Sequence, residues 1–271
     1  MFLQRALVTF TLGPLALYVI YLGGWYYFIP ITAILILAAL EYHYLMQQLG
    51  RHTSQWLLLP LVALLAVTGQ WPDLLDTNVV LVASLLVVMC YALWLYERRL
   101  SQIVAMDWAA MMGGVILIGW IGSHFLRLRT LPVMPWQWTM LAMLSTWIAD
   151  SGAYLVGKFI AGKILLGRHQ LSPRLSPNKT IEGYIGGIVL GTLLTIAIAN
   201  YLGLPLIPAL VLGLIVSVVS PAGDLGISLL KREAGVKDSG RIFGEHGGAL
   251  DRIDSLVWSV TFAYYLALYV S

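Results

Sequence analysis

The densest chemistry in this 271-residue chain lies between Gly223 and Ser255. Asp224, Ser228, Lys231 and Arg232 are spaced i, i+4, i+7 and i+8, which puts them on one face of a helix. Lys237, Asp238 and Gly240 follow, then His246, Gly247 and Gly248, and Asp251, Arg252 and Asp254 open a further helix. Carboxylates without Cys, and with one nearby His, suit a hard, oxygen-seeking ion such as Mg2+ rather than zinc. Mg2+ on a few carboxylates amid Lys and Arg is the usual apparatus for a nucleotide polyphosphate. The glycines would let backbone N–H groups approach an anion closely. A self-neutralising salt-bridge network at a helix hairpin would use the same residues and need no ligand. His246 is a candidate acid–base group or phosphate donor, or else a hydrogen-bonded loop histidine.

Two further patterns could do chemistry. Asp150, Tyr154 and Lys158 recur at i, i+4 and i+8 after 20 uncharged residues. An acid at that depth of a membrane is costly unless paired or hydrated, so Asp150 is a functional candidate. The alternative is an Asp150–Lys158 pair that only anchors the helix. The loop from Gly167 to Thr180 is basic, with Arg168, Arg174 and Lys179, two Ser-Pro turns and no acid before Glu182. Its cations and hydroxyls, Ser176 among them, suit a phosphate; a tether to anionic lipid headgroups would need only the charge. The spacing of a P-loop is absent.

The elements that must position these groups follow from charge. The chain is 59% hydrophobic and 11% charged, against about 25% charged in an ordinary soluble domain. Seven stretches carry no charge at all: 6–40, 52–72, 77–96, 108–126, 130–149, 183–223 and 255–271. At about 20 residues per crossing, the first and sixth hold two helices each. The expected fold is therefore all-α, a polytopic integral membrane protein. Its nine transmembrane helices lie near 6–23, 25–41, 56–70, 78–96, 106–126, 136–157, 182–202, 205–230 and 251–270. With the N-terminus in the cytoplasm, 14 Lys and Arg fall on that side and only Arg127 and Arg129 on the other, as the positive-inside rule requires. The Met1–Arg5 start is read as leading into the first span rather than as a cleaved signal.

Residues 1–149 form the N-terminal membrane helices. Residues 150–271 form a catalytic membrane region with cytoplasmic loops 158–181 and 231–250. The net charge of +3 gives no argument for nucleic acid. Cys90, alone of its kind, is expected to be a buried hydrophobe. Gly183, Gly187 and Gly191 form a small-residue stripe for close helix packing or for a contact between subunits.

The run Ser228-x2-Lys231-Arg232-x4-Lys237-Asp238-x-Gly240-x5-His246-Gly247-Gly248-x2-Asp251-Arg252-x-Asp254 resembles the signature of the phosphatidate cytidylyltransferase (CDP-diacylglycerol synthase) family. The Ala149–Tyr154 run and the run from Ser176 to Gly183 resemble it too. Gly244-Glu245 stands where the family commonly has Pro-Gly. The resemblance implies nine spanning helices, a homodimer in a cell (inner or plasma) membrane, and a site facing the cytoplasm. The implied reaction joins CTP and phosphatidic acid into CDP-diacylglycerol and pyrophosphate, committing phosphatidic acid to phospholipid synthesis. Mg2+ would serve it, with a second cation such as K+ as an option.

Carried over, Asp224 and Asp251 are the metal-centre acids, with Asp254 and Asp238 as further candidates. Lys231, Arg232, Lys237 and Arg252 neutralise phosphate charge. Arg174, Ser176, Lys179, Ser228, Gly247, Gly248 and Asp150 are candidates for the substrate side. The rival readings are another CTP-dependent lipid enzyme, such as a polyprenol kinase or an archaeal-type lipid cytidylyltransferase, and an ion-coupled transporter using Asp150 and Asp224.

Overall fold

Apolar segments in a bilayer fold into helices because a backbone without water must satisfy its own hydrogen bonds. The computed structural model describes residues 13–162, 167–242, 244 and 247–270. Its helices are α1 (Gly13–Leu22), α2 (Gly24–Gln48), α3 (Gln55–Gln70), α4 (Thr77–Glu97) and α5 (Val104–Arg129). After them come α6 (Pro135–Phe159), α7 (Ile181–Tyr201), α8 (Leu206–Glu233), α9 (Leu250–Ile253) and α10 (Leu256–Val270). Each expected segment overlaps a helix among the described residues. Among the described residues, six helical stretches are both long and apolar enough to cross a membrane: α2, α4, α5, α7, α8 and Leu250–Val270, which joins α9 to α10. The chain is a multi-pass, all-α membrane protein. The start of the first expected span, residues 6–12, lies outside the described residues.

Two local features depart from expectation. The basic loop before α7 is more than two turns: β1 (Gln170–Ser172) pairs antiparallel with β2 (Ser176–Thr180), Gln170 opposite Thr180 and Ser172 opposite Ser176. Cys90 is exposed on α4 rather than buried, because a helix with lipid on most sides need not hide an apolar thiol.

The chain divides into two units. The first combines Met1–Thr130 with Glu233–Ile253. Its core is built where α2, α3 and α5 meet, with Leu35, Leu58, Val62 and Leu65 at 0–1% exposure. A π-helical stretch, Val115–Ile121, interrupts α5. There a Cβ at Gly119 would lie 2.6 Å from Leu65 Cδ1, so the helices approach as closely as glycine allows. Asp76 caps α4 by accepting the Asn78 and Val79 N–H groups at 2.7 and 3.1 Å. Arg129 donates to the Ile20 and Tyr21 carbonyls at the end of α1.

The second unit combines Leu131–Arg232 with Asp254–Ser271. The glycine stripe of α7 packs on α6 of the same chain: Cβ atoms at Gly183 and Gly187 would lie 2.6 and 2.9 Å from the Ala153 and Ala149 carbonyl oxygens. Buried hydroxyls tie neighbouring helices together. Thr146 of α6 donates to Ser259 of α10 at 2.5 Å, and Thr195 of α7 to Ser145 of α6 at 2.9 Å. Between apolar helices such bonds and close backbone contacts supply the cohesion that water would otherwise drive.

Candidate active site

Within the second unit a cavity of about 520 Å³ opens among α6, α7, α8 and the hairpin. Asp150, Lys158, Arg168, Lys179 and Asp224 all face it, with Tyr154 and Thr180 beside them. On α6 the i, i+4, i+8 face forms as expected, but its pairing is different. Lys158 Nζ donates to Tyr154 Oη at 2.9 Å, while Asp150 accepts a hydrogen bond from Ser220 Oγ of α8 at 3.0 Å. Asp150 is thereby tied to α8, not to Lys158.

The hairpin is delivered by the start of α7. Thr180 caps that helix by accepting the Gly183 N–H at 3.0 Å. In the first turn, Glu182 accepts from the backbone N–H of His169 at 3.2 Å and contacts its ring Nδ1 at 2.7 Å. Both strands are thus clamped to one helix end, and β2 projects Lys179 onto Asp224 of α8, with which it forms an ion pair. Ser228 donates to the other oxygen of Asp224 at 3.2 Å. Arg174 lies exposed in the hairpin turn and Ser176 at the first residue of β2, whereas Asn178 and Lys179 line the cavity. Of the loop's cations, Arg168 and Lys179 face the cavity, and Lys179 pairs with Asp224.

Lys231 and Ser228 are buried on α8, each 7% exposed. Asp254 stands at the turn before α10 and accepts the Ser255 N–H at 2.6 Å. It feels the repulsion of Asp224 and Asp150 and the attraction of Lys231. Arg232 is exposed at the end of α8. Three carboxyl groups, Asp150, Asp224 and Asp254, thus stand among the cations Lys179 and Lys231, with Lys158 and Arg168 facing the same cavity.

Among the described residues no three His, Cys, Asp or Glu side chains are arranged to ligate one ion. Mg2+ does not require that, because it is held by one or two carboxylates and completed by substrate phosphates and water. The carboxyl oxygens of Asp224 and Asp254 are donors of the kind such an ion takes.

In the first unit the signature's loop is organised around two carboxylates. Asp251 Oδ2 accepts from the Ser239 N–H, the Ser239 hydroxyl and the Gly248 N–H at 2.9, 2.9 and 3.0 Å. Glu41 of α2 accepts from Ala249 N–H and Leu250 N–H at 3.0 and 2.9 Å. Gly247 takes φ +80°, and a Cβ there would lie 2.5 Å from Asp251 Oδ2, so glycine is required on both counts. Lys237, Asp238 and Arg252 are exposed. His246 and Glu245 lie outside the described residues.

Sequence reasoning missed Glu41, Ser239 and Ser220. Glu41 carried a usable signal, since it ends a 35-residue uncharged run as Asp150 and Asp224 end theirs. The two serines carried none, because a hydroxyl has no charge to stand out against an apolar background.

The fold defines a polytopic helical membrane protein whose charged groups gather at a few helix ends and in one hairpin. The chain belongs to the cytidylyltransferase family, whose model matches residues 3–270. It is 34% identical over 284 residues to a phosphatidate cytidylyltransferase of Synechocystis, covering 94% of this chain and 92% of that protein. A Bacillus subtilis protein of the same name is 41% identical over 153 residues, 56% of this chain and 55% of the relative. One from Staphylococcus aureus is 36% identical over 192 residues, 70% of this chain and 68% of the relative.

Proposed function

We propose that this chain is a phosphatidate cytidylyltransferase, converting CTP and phosphatidic acid to CDP-diacylglycerol and pyrophosphate. The observation that carries the reading is the cavity in which Lys179 pairs with Asp224 beside Asp150, in a chain whose relatives bear that name. A phosphate oxygen of phosphatidic acid attacks the α-phosphorus of CTP in line. The bond to the β-phosphate oxygen breaks, and pyrophosphate leaves. The nucleophile is anionic near neutral pH, so the chain needs no strong base.

Its residues act by positioning and charge neutralisation. Lys179, Lys158 and Arg168 offer cations to phosphate oxygens in the cavity. Lys231, Arg232, Lys237 and Arg252 are the further cations of the signature. Mg2+, when bound, would supply Lewis-acid neutralisation of the triphosphate, and within this unit Asp224 and Asp254 would hold it. Asp251 and Asp238 are carried as metal ligands by the sequence signature, and K+ remains the option for a second ion.

The reading includes nine crossings, a cytoplasmic N-terminus, a site facing the cytoplasm of an inner or plasma membrane, and a homodimer. Acyl chains then stay in lipid while the headgroup reaches the polar residues.

The test is pyrophosphate release by purified protein in detergent with phosphatidic acid and Mg2+, comparing CTP, ATP, GTP and UTP. Release specific to CTP, dependent on the lipid and lost in Asp224→Asn and Asp251→Asn, is expected. Release with a polyprenol or another lipid in place of phosphatidic acid would move the chain to a neighbouring CTP-using class. No release by folded protein, together with ion flux in proteoliposomes, would favour a transporter.

A further inference from the structure

Glu41 sits deep in α2 at 4% exposure, far along the chain from every residue of the signature. Its Oε1 accepts the Ala249 N–H at 3.0 Å and its Oε2 the Leu250 N–H at 2.9 Å. Oε2 is also 2.8 Å from Ser239 Oγ, and that same hydroxyl is 2.9 Å from Asp251 Oδ2. A serine hydroxyl has one proton to give. Ser239 therefore links the two carboxylates through a single donor, while its N–H holds Asp251 independently at 2.9 Å.

The glycines of the signature fit around this pair. A Cβ at Gly240 or at Gly248 would run into the Glu41 carboxylate. That carboxylate cannot swing aside without giving up two backbone N–H groups. Bonds from N–H donors to a charged oxygen are the stronger kind, so they hold Ala249 and Leu250 stiffly. Ala249 and Leu250 are thus held on Glu41, and Asp251 takes its backbone hydrogen bonds from Ser239 and Gly248 beside them.

We propose that Glu41 is a positioning residue for the transfer reaction: it fixes residues 239–240 and 248–250 and, through Ser239 and Gly248, the direction of the Asp251 carboxylate. The proposal rests on the cytidylyltransferase reading for the reaction that Asp251 serves. It differs from a mere fold anchor in what it makes Glu41 responsible for.

The experiment uses the full chain in detergent, as wild type, Glu41→Gln, Glu41→Asp and Ser239→Ala. It reads melting temperature, hydrogen exchange of residues 239–250, kcat, KM for CTP and the half-saturating Mg2+ concentration. Glu41→Gln places an N–H2 where a carboxylate oxygen now accepts. Since displacements of about 1 Å cost on the order of 100-fold, kcat is expected to fall about 10- to 100-fold. The half-saturating Mg2+ rises, KM for CTP stays within about twofold, and the 248–250 amides exchange faster. Glu41→Asp should recover part of the loss, and Ser239→Ala should move the same quantities less.

A Glu41→Gln enzyme with wild-type kcat and Mg2+ requirement overturns the proposal. So does a loss that tracks the melting temperature alone and is not relieved by Glu41→Asp. Should Glu41→Gln not fold, Ser239→Ala decides by the same quantities. Wild-type protein that turns over no CTP overturns the reaction and this role in it together, whereas a variant-specific result bears on Glu41 alone.

Discussion

Lys179, carried on the second strand of the hairpin, forms an ion pair with Asp224 in the middle of α8's polar face. The two side chains are 29% and 34% exposed, so water screens the pair and its contribution to stability is small. Under the proposed function its value lies in meeting substrate. A cation held at the acids is in place to meet a phosphate, and removing one such group typically costs about 100- to 1000-fold in rate. Lys179→Met is therefore expected to lower kcat/KM for CTP by about 100-fold or more while leaving the melting temperature nearly unchanged. Lys179→Arg should retain part of the activity. Loss of fold in Lys179→Met, or full activity, would contradict this assignment.

The α6–α7 contact makes a stability prediction with an internal control. A Cβ at Gly187 would stand 2.9 Å from both the Ala149 carbonyl and Ala153 Cβ, and neither is the end of a flexible side chain. Gly187→Leu should destabilise the protein by about 1–3 kcal/mol or more through overpacking, read as a lower melting temperature in detergent. Gly226 of α8 has nothing within 4 Å of its would-be Cβ. Gly226→Ala should be neutral or stabilising by roughly 0.5–1 kcal/mol, the difference between glycine and alanine within a helix.

The hairpin's attachment can be cut in two places. Thr180→Ala removes the cap of α7, a loss of about 1 kcal/mol, and Thr180→Ser should keep it. His169→Ala removes the ring contact with Glu182 at 2.7 Å. In both variants hydrogen exchange across residues 168–180 should quicken, and KM for CTP should rise because Lys179 is no longer delivered to Asp224. Unchanged exchange in either would mean that the hairpin is held by other contacts.

Orientation is open to labelling. In a Cys90→Ser background, single replacements Lys237→Cys and Asp73→Cys put thiols at two exposed loop positions. With the N-terminus in the cytoplasm, a membrane-impermeant maleimide added to intact spheroplasts should label Asp73→Cys. It should reach Lys237→Cys only after permeabilisation. The opposite pattern would invert the topology and put the signature loop outside.

The sequence by itself determined the helical membrane character of this chain and the positions of its helices. A bilayer admits long uncharged runs and little else, so 29 charges among 271 residues mark the helix ends almost directly. It also singled out Asp150 and Asp224, since an ion beside an apolar run is costly and needs a reason, and Lys179 and Asp251 from the basic loop and the carboxylate cluster that hold them. The tertiary structure alone decided the partners. Asp150 turned to Ser220 instead of Lys158, a basic loop became a strand pair aimed at Asp224, and the stripe of Gly183, Gly187 and Gly191 closed on α6 within the chain. Glu41 met a loop some 200 residues away by hydrogen bonds to Ser239, Ala249 and Leu250. Spacing rules reach only as far as one helix or one turn. Which buried oxygen faces which N–H across such distances depends on how the helices pack, and that information is spread over every apolar residue that packs them.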